Sequence, residues 1–328
     1  MRGSFDRRQF MTAGGALALT ACIGPARAQQ SVPQSPFGPN ATAEEVTAGL
    51  DLSGLNIVVT GCNSGIGFET MRVLALRGAH VIGTARSIEK GEEACSSIVG
   101  RATPVVLELT DFDSCVACAE QIKSLDVPID ALINNAGVLY TDLQQVRGLE
   151  AQFVVNHLGH FVLTHHLLER VTAARQGRVV VVGSVAHRQV PEGGIQFDDL
   201  SGASWGGGYY GHSKLANGLF SLELSKRLRG TRATSNCLHP GVVATNIMRN
   251  MNLPAGGGGG GGGGFSFESP AMGAANSCYV ATHPSLAGVT GQYFVDFNPA
   301  PQSAHQTDET MAARLWAVST ELTRDWLT

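Results

Sequence analysis

Apolar positions in this chain fall into short unbroken runs separated by longer stretches of helical spacing. Ile57-Val58-Val59 and Val179-Val180-Val181-Val182 are runs of the first kind, as expected of strands buried on both faces. The pattern predicts strands over 57–60, 80–84, 104–109, 131–134, 178–182, 234–238 and 291–295. It predicts helices over 68–77, 88–98, 112–124, 149–175, 210–228 and 271–281. Strands alternating with helices of this length form a parallel sheet covered on both faces. Right-handed crossovers then make the chain a doubly wound, Rossmann-type α/β domain. No internal repeat interrupts the alternation.

Two segments break the pattern. Residues 1–28 carry Arg2, Arg7 and Arg8 ahead of an apolar stretch from Met11 to Ile23, and Ala26-Arg27-Ala28 fits a small-x-small cleavage site. These are the parts of a secretory signal. The apolar stretch falls short of the roughly 20 residues that span a bilayer. Arg7-Arg8-Gln9-Phe10-Met11 resembles the twin-arginine export motif, although an ordinary signal holding two arginines reads the same. The expected destination is the periplasm. Leu19-Thr20-Ala21-Cys22 also resembles a lipobox, so a lipid anchor at Cys22 is the competing outcome. The mass of the mature N-terminus separates a start at Gln29 from a lipidated Cys22. Residues 29–50, rich in Gln, Pro, Ser and Ala, read as a linker ending in a short helical piece, which leaves 51–328 as a single domain. The second break is 256–264, nine consecutive glycines, which cannot hold a regular element without a large entropic cost. The run sits where a substrate-covering segment is expected, and a surface insertion without function fits it equally.

Only 15% of the 328 residues are charged, and the formal net charge is −4. Without residues 1–28, which hold four arginines and one aspartate, the chain has 19 basic and 26 acidic residues and a net charge of −7. No basic run offers a footprint for nucleic acid. Cys62, Cys95, Cys115, Cys118, Cys237 and Cys278 remain, an even count that permits disulfides without establishing them. Cys115-x-x-Cys118 lacks a second pair for zinc and reads as packed small side chains.

The candidate chemistry begins at Thr60-Gly61-Cys62-Asn63-Ser64-Gly65-Ile66-Gly67, between the first predicted strand and helix. A glycine-rich turn in that setting cradles a pyrophosphate: Gly61 permits the tight turn, Gly65 the approach of the phosphates, Gly67 the close packing of helix on strand. The helix N-terminus adds free N–H groups and the positive end of its dipole. A tight loop with no ligand contains the same glycines. The second strand ends in Ala85-Arg86, with no carboxylate to hold the ribose hydroxyls and repel a 2′-phosphate. Arg86 either offers that phosphate a planar, permanently charged fork or is a solvated loop residue. The expected cofactor is NADP (NADPH) rather than NAD.

Tyr210-Gly211-His212-Ser213-Lys214 places Tyr210 and Lys214 four apart, on one helical face. A neighbouring ammonium favours the phenolate and lowers a tyrosine pKa that starts near 10, which is the tuning that acid–base catalysis needs. A tyrosine and a lysine on one amphipathic face account for the spacing too. Ser184 ends a predicted strand, where open α/β sheets bind ligands, and is otherwise a turn serine. Asn134-Asn135-Ala136-Gly137 likewise follows a strand. Asn156 lies inside a predicted helix, a poor place on propensity, as a site residue or a satisfied core amide. His157, His160, His165 and His166 are close in sequence, but no H-E-x-x-H is present. Packed or solvated histidines and no metal are expected.

T-G-x-x-x-G-x-G, N-N-A-G, the N-H-L-G-H-F helix, G-S at a strand end, Y-x-x-x-K and H-P-G-x-V-x-T follow one another in this chain. In that order they make it similar to the short-chain dehydrogenase/reductase family. It most resembles the retinol dehydrogenase-like and WW-domain oxidoreductase-like branch, from about Leu52 to Leu327. The later part includes Ser184-Val185-Ala186-His187-Arg188, Lys214-Leu215-Ala216-Asn217 and Arg314-Leu315-Trp316. The resemblance implies that Tyr210 is the catalytic acid/base and that Lys214 lowers its pKa and binds the nicotinamide ribose. It implies that Ser184 orients the substrate and Asn156 props a water chain to the lysine. It also implies a cofactor site formed by Thr60, Gly61, Asn63, Ser64, Gly65, Ile66, Gly67, Arg86, Glu108, Leu109, Asn134, Ala136, Gly137, Tyr210, Lys214, Pro240, Gly241, Val243 and Thr245. The sequence departs from the family pattern at Glu108, where Asp is usual, at Gly183, where a first serine is common, and at the glycine run.

The expected activity is NADP-dependent hydride transfer between the nicotinamide and a small alcohol or carbonyl substrate, lipophilic by analogy with the branch. Two readings compete with it. One is an isomerase or dehydratase acting on nucleotide sugars, whose relatives usually carry T-G-x-x-G-x-x-G. The other is a non-catalytic nucleotide-binding module, against which the Asn/Ser/Tyr/Lys set argues. No nucleic-acid partner and no membrane span are expected, and homo-oligomerisation is left open.

Overall fold

The computed structural model describes residues 32–243 and 268–328. The expected signal segment with Cys22, Thr245 and the glycine run at 256–264 lie outside the described residues. The strands are β1 (Asn56–Val59), β2 (His80–Ala85), β3 (Arg101–Val106), β4 (Ala131–Asn134), β5 (Gln145–Val146), β6 (Leu149–Glu150), β7 (Arg178–Val182), β8 (Thr234–Leu238), β9 (Tyr293–Val295) and β10 (Asn298–Pro299). Eight of them form one sheet in the order β10-β9-β8-β7-β4-β1-β2-β3, and β5 pairs with β6 as a separate hairpin. Within the large sheet only β10 on β9 is antiparallel. The chain builds outward from β1 through β2 to β3, then returns to β4 and builds the other way. The crevice over the carboxyl ends of β1 and β4 is therefore the switch point at which such sheets bind ligands.

The helices are α1 (Ala43–Val46), α2 (Gly65–Leu76), α3 (Ile88–Ser96), α4 (Phe112–Lys123), α5 (Ala151–Phe153), α6 (Gly159–Ala173), α7 (Tyr209–Arg227), α8 (Pro270–Thr282) and α9 (Glu309–Thr323). Period-two alternation divides the strands between two cores. Val58, Ile82, Val105, Leu132, Val179 and Val181 face one side, where α4, α6, α7 and α9 pack. Ile57, Val59, Val81, Ile133, Val180 and Val182 face the other, beneath α1, α2 and α8. Each fully buried aliphatic side chain contributes roughly 1.5–3 kcal/mol.

The structure corrects several expectations. The third strand is Arg101–Val106, earlier than predicted. It is an edge strand, where Pro104 removes no needed donor. It stops before Glu108 because that residue starts a turn: its Oε1 accepts from the Thr110 N–H (3.0 Å) and hydroxyl (2.8 Å). The long helix expected from 149 is split. β6 takes its first residues, Glu150 caps α5, and Val154–Leu158 forms a π-helical turn before α6. No element is predicted where α9 forms; its Ala312, Leu315 and Ser319 are buried, and it packs on α7. The described part of the expected linker is docked rather than free. Thr42 and Glu45 form a capping box on α1, Ala43 and Val46 are buried, and Phe37 meets Tyr279 edge-to-face at 5.8 Å.

Candidate active site

The glycine-rich turn joins β1 to α2 in the crevice. Gly61 is left-handed (φ 75°), and a Cβ at Gly67 would run into the Gly61 carbonyl oxygen. Ser64 takes the N-cap position of α2 without bonding the helix N–H groups through its side chain. Those donors and the dipole face the turn and suit an anion. Asn63 is exposed beside them. Thr60 ties this turn to the segment after β4. Its Oγ1 accepts the N–H of Asn135 and of Ala136, both at 2.9 Å, and its carbonyl accepts from the Asn135 side chain at 2.8 Å. Asn134 donates to the Thr164 hydroxyl at 2.9 Å and keeps its buried Oδ1 without a protein partner.

The four catalytic candidates come from three elements. Ser184 follows β7, Tyr210 and Lys214 lie on the first turns of α7, and Asn156 sits in the π turn. The Tyr210 and Ser184 hydroxyls are neighbours, and Ser184 Oγ accepts from the Ala186 N–H at 3.2 Å. Lys214 is 3% exposed, and its Nζ donates to the Val182 carbonyl at 2.9 Å, 5.5 Å from the Tyr210 ring centroid. Asn156 accepts from the Val138 N–H (2.8 Å) and donates to the Val138 carbonyl (3.0 Å) and to Ser213 Oγ (2.9 Å). Ser213 in turn donates to the Tyr210 carbonyl at 2.8 Å. A π turn inside a helix is a frequent mark of a functional site, and here it lets Asn156 reach both Val138 and α7.

The expected depression of the Tyr210 pKa does not hold in this structure. Burial pushes the phenol up to about 12, offset in part by the neighbouring Ser184 hydroxyl. Burial also pulls Lys214 down to about 8, with Cys237 opposing the shift. The ammonium donates to the Val182 carbonyl and lies 5.5 Å from the Tyr210 ring centroid.

The remaining predicted cofactor residues line the same crevice or flank it. Gly137 lies against Asn156 and Lys214: a Cβ there would meet Asn156 Oδ1 at 3.1 Å and Lys214 Nζ at 3.8 Å. Leu109 is buried against Gly159, and Glu108 caps its own turn. Arg86 is exposed after β2, with no hydrogen bond or ion pair among the described residues. Pro240 and Gly241 follow β8. Val243 bridges to Glu268, and a Cβ at Gly273 would press on both Val243 and Ile66, so α8 closes the crevice from one side. A dinucleotide fits this arrangement: an uncapped helix N-terminus for the phosphates, a side-chain-free cradle at Gly137, and a buried lysine beside it.

Sequence reasoning passed over Ser213 and assigned His160 no part in the site. Ser213 was legible only as the neighbour of Lys214. The four weighed histidines diverge. His157 meets Ser319 Oγ at 2.7 Å, His160 meets Thr60 and Asn156, and His165 and His166 bond the Leu327 and Trp326 carbonyls. Among the described residues no group of three or more His, Cys, Asp or Glu is arranged to hold a metal.

A doubly wound sheet with a phosphate-binding turn at its switch point and a Ser–Tyr–Lys set beside it defines a nicotinamide-dependent oxidoreductase. The short chain dehydrogenase family model matches residues 55–255. The chain is 39% identical over 304 residues to short-chain dehydrogenase TIC 32 B, chloroplastic, of Brassica napus, covering 88% of this chain and 95% of that one. It is 41% identical over 286 residues to retinol dehydrogenase 12 of Mus musculus, covering 84% and 88%. The crystal structure of an uncharacterized protein from Mycobacterium paratuberculosis matches with a TM-score of 0.68 at 31% identity, over 85% of this chain and 97% of that one. The chain belongs to the short-chain dehydrogenase/reductase family and is an NAD(P)-dependent oxidoreductase. Among the described residues no helix is long and apolar enough to cross a membrane.

Proposed function

We propose that the protein is an NADP(H)-dependent carbonyl reductase or alcohol dehydrogenase acting on a lipophilic substrate. The observation that carries this reading is the gathering of Ser184, Tyr210 and the buried Lys214 in one crevice, with Lys214 Nζ 5.5 Å from the Tyr210 ring centroid. The bound nicotinamide supplies the hydride in reduction and accepts it in oxidation. Ser184 holds the substrate oxygen by a hydrogen bond. Tyr210 gives that oxygen a proton in reduction and takes it back in oxidation. Arg86, unpartnered and with no carboxylate at the end of β2, supports NADP. Val185 and Val242, each 38% exposed, put apolar surface next to Ser184 and Gly241. That surface, with the retinol dehydrogenase relative, supports a lipophilic substrate.

The test is NADPH oxidation over a panel of lipophilic and polar carbonyl compounds, with wild type and Tyr210→Phe. The variant should lose at least about 10²-fold in rate, the scale of a lost general acid. Near-normal turnover by the variant with cofactor bound would sink the mechanism. A preference for the polar compounds would sink the substrate class.

A further inference from the structure

His160 stands between the two halves of the site. It lies on the first turn of α6, 2% exposed. Its Nδ1 is 3.1 Å from the Asn156 main-chain carbonyl and its Nε2 is 2.9 Å from Thr60 Oγ1. A carbonyl only accepts, so Nδ1 carries the proton and Nε2 is the lone pair of a neutral ring. The Thr60 hydroxyl already accepts two main-chain N–H groups, so its own proton goes to Nε2 in preference to the Ile133 carbonyl at 3.5 Å. The result is one directed chain: Thr60 to His160, His160 to the Asn156 carbonyl, and the Asn156 side chain to Ser213, which bonds the Tyr210 carbonyl.

We propose that His160 is a positioning residue that couples the cofactor turn to the catalytic helix, its Nε2 holding Thr60 and its Nδ1–H holding the π turn at Asn156. This rests on the oxidoreductase reading above. Burial pulls the ring down to about 4, so it stays neutral and keeps both bonds through the neutral range. The other reading of a buried histidine is a group packed in the core, away from the site. His157 shows what that looks like: equally buried, it bonds Ser319 on α9, and its Nδ1 has no partner. His160 differs in that both of its partners belong to the site.

Two substitutions separate the two bonds. His160→Gln keeps an acceptor at the Nε2 position and loses the donor at Nδ1, and His160→Asn does the reverse. His160→Gln should hold the NADPH KM within about twofold and lower kcat about three- to tenfold, the range of one neutral hydrogen bond. His160→Asn should raise that KM about three- to tenfold at near-normal kcat. Circular dichroism corrects each value for folded fraction, and His157→Gln, the control, should lower only the melting temperature. Equal loss of both parameters in the Gln and Asn variants, or no loss in either, overturns the proposal. Should both variants misfold, 15N NMR of the wild-type ring decides. An Nδ1–H tautomer whose Nε2 resonance moves on adding NADPH supports the coupling, and an Nε2–H tautomer or an unmoved resonance overturns it. Wild type that binds no NADPH overturns the proposed function and this inference together, whereas normal wild-type turnover without the split overturns this inference alone.

Discussion

Arg86 stands exposed at the end of β2 with no partner among the described residues, and the neighbouring positions hold no acid. A guanidinium in that position favours a cofactor bearing a 2′-phosphate and has little to offer one that lacks it. Arg86→Ala should therefore weaken NADPH about ten- to a hundredfold, the value of a charge-assisted contact of roughly 1.5–3 kcal/mol. NADH should hardly change. Paired titration of both cofactors against both proteins reads this directly, and equal loss for both would remove Arg86 from the argument. Tyr210 and Lys214 teach the complementary lesson at this scale. Their four-residue spacing is visible in the sequence. The direction of the Tyr210 shift is not, because it depends on how deeply the ring is buried and on which carbonyl the lysine faces.

At the scale of elements, the β1–α2 turn is the most constrained piece. A side chain at Gly67 has no room, since its Cβ would collide with the Gly61 carbonyl and lie 2.5 Å from Asn135 Nδ2. Both groups belong to the link between the glycine turn and the segment after β4. Gly67→Ala should destabilise the fold by about 1–3 kcal/mol, as overpacking does, and should weaken cofactor binding beyond the loss of folded protein. Thermal unfolding with and without NADPH measures both, and unchanged ligand stabilisation would show that the turn tolerates the shift. Regular helices and buried strands were legible from periodicity. The π turn at Val154–Leu158 was not, because every residue from Ala151 to Thr164 is buried, and a segment with no solvent face carries no phase from which an extra residue in one turn could be read. α9 escaped notice because its buried face includes Ser319 and Thr323 with Ala312 and Leu315, a polar mixture that only the surface of α7 renders a core.

Over the whole molecule, the buried histidines set the acid limit. Burial pulls His157 and His212 down to about 3, and His160 and His239 to about 4. The ordinary value is 6.5, so the unfolded chain takes up protons first as the pH falls. Stability is thus complete above about 6.5 and is lost toward 3–4, at about 1.4 kcal/mol per pH unit for each histidine. Together the four remove about 5 kcal/mol over the first unit, comparable to the stability of many domains. The buried carboxyls of Glu150 and Asp130 act in the opposite sense, since burial raises both and the folded state then gains as they protonate. Melting temperature should fall steeply between pH 7 and 5, and His157→Gln should flatten the fall by about one proton. A flat profile over that range would contradict the neutral burial of these rings.

The order of strands and helices, the glycine turn and the Tyr-x-x-x-Lys pair are written locally, in apolar periodicity and fixed spacings. The sequence by itself therefore determined the doubly wound class and named the residues that the crevice gathers. The tertiary structure decided what depends on groups far apart in the chain. It docked residues 32–50 on α8, turned Lys214 toward Val182, and set His160 between Thr60 and Asn156. Thr60 and His160 are 100 residues apart, and no local pattern carries the hydrogen bond between them. Only the closing of α6 over the switch point of the sheet brings the two side chains within reach, and burial then makes each bond matter.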